Sequence, residues 1–227
     1  MKRWGVLLFL LIIIVVSGWY GFFHNPAVSN LPELPRKEPL RIAIVGDSLA
    51  YGTGAKEKDP LSRYLKEYIT KYPSVEIENL GTPGARIKNV ADSQVPSLTS
   101  NYNAAVILVG ANDVTQLGSN ETFRPDYQKA LATLAKNAKR VVVVNVPRLS
   151  LTPAIPAELK GMVNGRTQSA NEVIAEVVKA HNNAVIFDFY RYSEEKLFDG
   201  TGLLSEDNYH PNDRGYELLA KEIARLL

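Results

Sequence analysis

The 227 residues contain three histidines, and one of them, His210, follows an aspartate at a spacing of three in Asp207-Asn208-Tyr209-His210. Within one turn of chain such a carboxylate can accept the ring's second N–H, fix its tautomer and stabilise the imidazolium. Imidazole has an ordinary pKa of ~6.5, which suits it to taking a hydroxyl proton near neutrality. The hydroxyl candidate is Ser48, in Gly46-Asp47-Ser48 at the end of the β-branched run RIAIVG. A serine, a base and an orienting carboxylate together could carry out acyl transfer through a covalent intermediate. That chemistry also needs hydrogen-bond donors aimed at a developing oxyanion. The N–H groups of Ser48 and Gly81 and the side-chain amide of Asn112 are the candidates. Gly81 has no side chain, so a substrate could approach its backbone closely. Gly84 reads as a turn glycine.

The other polar residues near these positions have plainer readings. His24 lies between an apolar run and a proline-rich stretch, and His181 at the tail of an amphipathic pattern, which leaves His210 as the base. Asp188 and Asp199 are alternative partners for the imidazole, but each requires a less local geometry than Asp207. Asp47 and Asp113 read as turn organisers that accept backbone N–H bonds. Arg86 could meet an anionic substrate, although a surface or helix-start position is the simpler assignment.

Short β-branched runs at 41–46, 75–80, 104–110, 140–146 and 184–189 alternate with helical patterns near 60–71, 86–95, 125–139, 165–181 and 213–226. Several of the runs are apolar on both faces, as buried parallel strands are. Leu61, Tyr64, Leu65 and Tyr68 carry the spacing of an amphipathic helix, as do Val173, Ile174, Val177 and Val178. Repeated βα units predict a doubly wound parallel sheet of about five strands with helices on both faces. Ligands of such sheets bind at the carboxyl ends of the strands. Ser48, Gly81 and Asn112 each follow a predicted strand, and the Asp207–His210 turn follows the fifth after a loop.

Taken in order, GDSLAYG, NLGTPG, GAND and DNYHP resemble the four sequence blocks of the SGNH, or GDSL-type, hydrolases. The resemblance covers most of residues 41–215. It implies a flavodoxin-like three-layer α/β/α fold, and it lays the family's serine on Ser48, its glycine on Gly81, its asparagine on Asn112 and its aspartate and histidine on Asp207 and His210. The implied activity is carboxylic ester hydrolysis through a Ser-His-Asp triad, on lysophospholipids, thioesters, lipid esters or acetylated sugars. Acyl-chain preference is expected to reside in 51–59, 113–124 and 147–164. Neither cofactor nor metal is expected. A non-catalytic acyl- or glycan-binding module and an O-acyltransferase are the competing functions. The α/β-hydrolase pattern Gly-x-Ser-x-Gly is absent around Ser48, since position 50 is Ala, and no dinucleotide or P-loop signature occurs.

Composition, 45% hydrophobic and 22% charged, is that of an ordinary globular protein. The net charge of +2 comes from the first 37 residues, where Lys2, Arg3, Arg36 and Lys37 oppose Glu33; the remainder carries 22 basic against 23 acidic residues, or −1. A near-neutral domain is a poor match for a phosphate backbone, so nucleic acid is not an expected partner. The absence of cysteine excludes disulfides, thiolate catalysis and cysteine-ligated zinc. Lys2 and Arg3 precede an apolar or small run from Trp4 to Phe23, which as a helix would span ~30 Å. This reads as a membrane anchor at 1–23, with a cleaved signal peptide as the alternative. Residues 24–39, with prolines at 26, 32, 35 and 39, read as a stiffened linker to a hydrolase domain at 40–227. Positive charge before the run places the domain outside the cytoplasm.

Overall fold

The computed structural model describes residues 31–99, 101–116, 122–198 and 200–227. Among them are five strands: β1 Leu40–Gly46, β2 Val75–Asn79, β3 Tyr102–Leu108, β4 Ala138–Val144 and β5 Ala184–Phe187. They form one parallel sheet in the order β2-β1-β3-β4-β5. This is the doubly wound arrangement expected, with its reversal of direction between β1 and β3.

The helices are α1 Ser48–Tyr51, α2 Pro60–Tyr68, α3 over 87–97, α4 Ala111–Thr115, α5 Phe123–Asn137, α6 Lys160–Lys179, α7 Phe189–Tyr192 and α8 Asp213–Leu226. Alternate residues of each strand feed two separate cores. Ala43, Val45, Ala105, Ile107, Val141 and Val143 pack under α3, α5 and α6. Ile42, Ile44, Ala104, Val106, Val142 and Val144 pack under α2 and α8. Each large apolar side chain so covered contributes about 1.5–3 kcal/mol, which explains why the central strands tolerate no polar alternation.

Several boundaries differ from expectation for identifiable reasons. β3 and β4 stop two residues early. Past β4, Asn171 replaces the ladder by accepting the Val146 N–H (2.9 Å) and donating to its carbonyl (2.9 Å). Helix α6 begins at Lys160 and runs through Gly161 and Gly165, because Val163 and Thr167 continue the buried face of Ala170 and Ile174. That burial outweighs about 1 kcal/mol per helical glycine. The second half of the expected linker is packed on the domain: Leu34 is buried, and Arg140 Nη2 donates to the Pro32 carbonyl at 2.6 Å. The Trp4–Phe23 run and His24 lie outside the described residues. Among the described residues no helix is long and apolar enough to cross a membrane.

Candidate active site

Ser48 opens α1 directly beyond β1, and its neighbours leave little freedom. The Asp47 carboxylate accepts the Leu49 N–H at 2.9 Å, capping the turn, and Gly52 ends it at a left-handed φ of +96°. A Cβ on Gly46 would lie 1.9 Å from the Leu108 carbonyl oxygen, so only glycine lets β1 end this close to β3. As the first helical residue, Ser48 has an N–H with no intrahelical acceptor.

His210 reaches the same point from a loop at the start of α8. Its Nε2 lies 2.9 Å from Ser48 Oγ, and its Nδ1 lies 2.6 Å from Asp207 Oδ2. The other Asp207 oxygen accepts Ser205 Oγ (2.7 Å), Tyr209 N–H (2.8 Å) and His210 N–H (2.9 Å). Partial burial alone would raise the Asp207 pKa; the hydrogen bonds from His210, Ser205 and Tyr209 outweigh it and hold the carboxyl well below the usual range. The residue therefore stays ionised beside the imidazole. Asn208, at φ +57°, makes the turn tight enough for this reach, and the Tyr209 ring packs edge-on against the His210 ring with centroids 4.9 Å apart.

The competing groups are placed elsewhere. Asp188 accepts from Asn145 Nδ2 (3.1 Å) and from the Arg191 N–H (3.2 Å), a helix cap rather than an imidazole partner. His181 follows α6 at the opposite end of the sheet. Asp199 lies outside the described residues. Arg86 caps α3 and pairs through Nε with the buried Asp113 carboxylate at 3.2 Å, the helix-start role expected of it. Asp113 also accepts the Ile87 N–H at 3.1 Å. Asp47 accepts backbone N–H groups of Leu49, Gly110 and Ala111; both aspartates organise turns.

The loop after β2 departs from expectation. The Gly81 N–H already donates to Asn79 Oδ1 at 3.0 Å, and a Cβ there would lie 2.5 Å from the Tyr51 nitrogen. Gly81 thus seats the loop against the back of α1 and presents no uncommitted donor. Gly84 is different. Thr82-Pro83-Gly84-Ala85 closes on an Ala85 N–H to Thr82 carbonyl bond of 3.1 Å, with Gly84 at φ +81°. This is a type II turn, with proline and glycine at its two central positions. A Cβ on Gly84 would meet open space. Asn112, half-buried at the start of α4, donates one side-chain N–H to the Ala85 carbonyl at 3.0 Å, which sets its amide beside this turn. The turn at Gly84 is as read from the sequence; what the sequence reading did not assign is an N–H beside Asn112 at this glycine rather than at Gly81.

Residues 44–218 match the family model of GDSL-like lipases and acylhydrolases. The chain belongs to that family. It is 28% identical over 195 residues to a GDSL-like esterase of Mycobacterium tuberculosis, an alignment covering 80% of this chain and 59% of that protein. The chain thus spans little more than half the length of that relative. A lipase/acylhydrolase from Enterococcus faecalis superposes with a TM-score of 0.62 at 23% identity, over 82% of this chain and 94% of that one. An acetyl xylan esterase from Geobacillus stearothermophilus gives 0.62 at 14% identity, over 85% and 96%. These two likenesses establish the shared fold.

Two positioning residues of this GDSL-like chain were not singled out from sequence. Gln94, on the π-helical turn within α3, pairs with both backbone groups of Gly46: its Oε1 accepts the N–H and its Nε2 donates to the carbonyl, each at 2.8 Å. It secures the end of β1 immediately before Ser48. Asn79 donates to the Ala50 carbonyl (2.8 Å) and to Asp59 Oδ1 (2.6 Å) while accepting from Gly81. One amide therefore joins the end of β2, α1 and the cap of α2. Beside Ser48 and His210 a cleft is lined by Leu49, Val146, Leu149, Phe198, Tyr209 and Pro211, among others. Among the described residues no cluster of His, Asp or Glu could hold a metal ion.

Proposed function

We propose that the protein is a serine ester hydrolase in which Ser48 is the nucleophile, His210 the general base and Asp207 the group that orients the ring. The observation that carries this reading is the single imidazole spanning Ser48 Oγ at 2.9 Å and Asp207 Oδ2 at 2.6 Å. Ser48 Oγ attacks the ester carbonyl while its proton passes to His210 Nε2. The Ser48 N–H, the Asn112 amide and the Gly84 N–H meet the oxyanion of the tetrahedral intermediate. Collapse breaks the ester C–O bond, and the leaving alcohol takes the proton back from Nε2. Water then repeats the sequence, releasing the acid and restoring Ser48.

The relatives' names span lipases, an acylhydrolase and an acetyl xylan esterase, so the shared class is the carboxylic ester. An intact Ser48–His210–Asp207 arrangement favours catalysis over a purely binding module. Hydrolysis of p-nitrophenyl acetate and butyrate by the purified protein tests the reading. Ser48→Ala should lower kcat by on the order of 10⁶ without unfolding the domain; retention of more than a small percentage of wild-type turnover would refute it.

We also place the domain outside the cytoplasm, tethered by Trp4–Phe23. Support comes from the length of that run and from Lys2 and Arg3 preceding it. Full-length protein should remain with membranes through a high-salt wash, and external protease should reach the domain. Recovery in the cytosol would overturn the topology, and a mature chain starting near Trp19 would overturn the tether alone.

A further inference from the structure

Residues 31–39 are held at the end of the domain opposite Ser48. Leu34 is buried, and Leu31 packs against the same core beside Leu40, Tyr72 and Leu227. One guanidinium fastens this segment to the last residues of the chain: Arg140 Nη2 donates to the Pro32 carbonyl at 2.6 Å, and Nη1 donates to the Leu226 and Leu227 carbonyls at 2.9 and 3.2 Å. Two elements measure how far this clamp lies from the site. β1 climbs seven residues from Leu40 to Gly46 before Ser48, roughly 20 Å at the rise of a strand. α8 starts at Asp213, just past His210, and descends fourteen residues to Leu226, about 21 Å at the rise of a helix. Ser48 and His210 therefore stand at one end of the domain, and the segment leading back to the N-terminus at the other.

The linker end is also basic. Arg36, Lys37, Lys71 and Lys139 are exposed there, and Lys136 and Lys179 stand in the last turns of α5 and α6. The helix dipole accounts for a basic side chain in a last helical turn, but Arg36, Lys37, Lys71 and Lys139 lie outside any helix. Partial burial and the Arg36 and Arg140 charges lower the Lys71 pKa, so these three cations stand close together. Of the acidic residues at this end, Glu67 and Glu76 are paired with Arg63 and Arg41, and Glu33 and Glu38 of the linker offset two of the positive charges. A surplus of cations remains on a face that carries no part of the site. The seven residues 24–30 between Phe23 and Leu31 reach at most ~30 Å when fully extended. A leash of that length keeps the domain beside the bilayer and leaves its orientation to surface charge, which attracts this face to anionic headgroups once they come within about a Debye length, ~10 Å at 0.1 M salt.

We propose that this basic face rests on an anionic lipid bilayer, which points Ser48 away from that membrane and makes the substrate an ester presented from the aqueous side rather than a lipid of the bilayer beneath. The proposal rests on the tether and on the ester-hydrolase reading, and the test separates the three. The chain has no cysteine, so a single introduced cysteine carries a single fluorescent label. Ser74→Cys places it at the clamped end, where the Ser74 carbonyl accepts the Leu40 N–H, and Lys58→Cys places it on the loop that the Asp213 carboxylate holds beside His210. Full-length protein is reconstituted into vesicles of phosphatidylcholine and phosphatidylglycerol that contain a lipid with a quenching headgroup. The label at position 74 should lose most of its emission, and the label at position 58 should keep most of its own. Vesicles of phosphatidylcholine alone, or the variant Arg36→Gln/Lys37→Gln/Lys71→Gln/Lys139→Gln, with the cysteine at position 74 then introduced alongside, should remove most of that difference. Equal or stronger quenching at position 58, or a difference that survives both changes, would overturn the proposal. So would faster turnover of ester lipids that share the enzyme's bilayer than of the same lipids in separate vesicles. Release of the protein from the vesicles by a high-salt wash would overturn the tether and the proposal with it. Failure of the same vesicles to hydrolyse p-nitrophenyl acetate would overturn the ester-hydrolase reading and the substrate assignment, whatever the quenching shows.

Discussion

On the His210 side of Ser48, residues 205–210 supply the proposed base, its carboxylate partner and the donors that satisfy that carboxylate, all from one short turn. On the opposite side, the proposed oxyanion donors, the Ser48 N–H, the Gly84 N–H and the Asn112 amide, come from loops after three different strands. Those loops are joined by buried and partly buried polar cross-links: Asp47 to Gly110 and Ala111, Asn79 to Ala50, Asn112 to Ala85 and Asp113 to Arg86 and Ile87. The local side costs little loop-closure entropy and keeps its geometry by itself. The distributed side holds its geometry only while each buried polar group keeps its partner.

Of the two sides, the local one carries the larger predicted effect. Asp207→Asn keeps the shape of the turn but removes the carboxylate that holds Nδ1–H, and should cost about 10⁴ in kcat. A loss below about tenfold would mean that another group orients His210. On the distributed side, Asn112→Ala should cost ~10² to 10³ in kcat with the wild-type pH profile retained, because an amide does not titrate. Full turnover in this variant would remove Asn112 from the mechanism.

A finer test separates the two glycines of the β2 loop. Replacing the peptide N–H of Gly84 by an ester oxygen should slow acyl transfer by about 10², while the same replacement at Gly81 should act mainly on stability through the lost Asn79 bond. The reverse pattern would restore Gly81 as the oxyanion donor. This distinction shows where the sequence was legible. Asp207, His210 and the strand alternation follow from short spacings and periodicity, which report local geometry directly. Gly81 and Gly84 differ only in what their N–H groups and missing side chains face. That depends on Asn79 folding back onto its own loop and on α1 packing behind Gly81, which no spacing reveals. The same holds for Gln94, whose bonds to Gly46 bridge 48 residues.

The smallest predicted effect compares the two carboxylates flanking the site. Asp47 is almost fully buried, and burial raises its pKa from 3.8 to about 7 despite its backbone donors. Its contribution to stability is full below the unfolded pKa and is lost as pH rises through about 7. Asp207 has the opposite sign, contributing above the unfolded value and losing that contribution as pH falls through its depressed folded pKa. Thermal melts between pH 4 and 7 should therefore show a downward slope in wild type, at most about 1.4 kcal/mol per pH unit, that is flattened in Asp47→Asn. The slope is the readout, since the substitution also changes a hydrogen-bond acceptor. Parallel slopes in the two proteins would show that Asp47 is ionised throughout this range.

The central claim is that His210 and Asp207 activate Ser48, and labelling of the purified protein by a fluorophosphonate tests it most directly. With peptide mapping by mass spectrometry, wild type should carry one adduct, on Ser48. His210→Ala should lose most of this labelling while remaining folded. An adduct on another serine, or undiminished labelling of Ser48 in His210→Ala, would contradict the account.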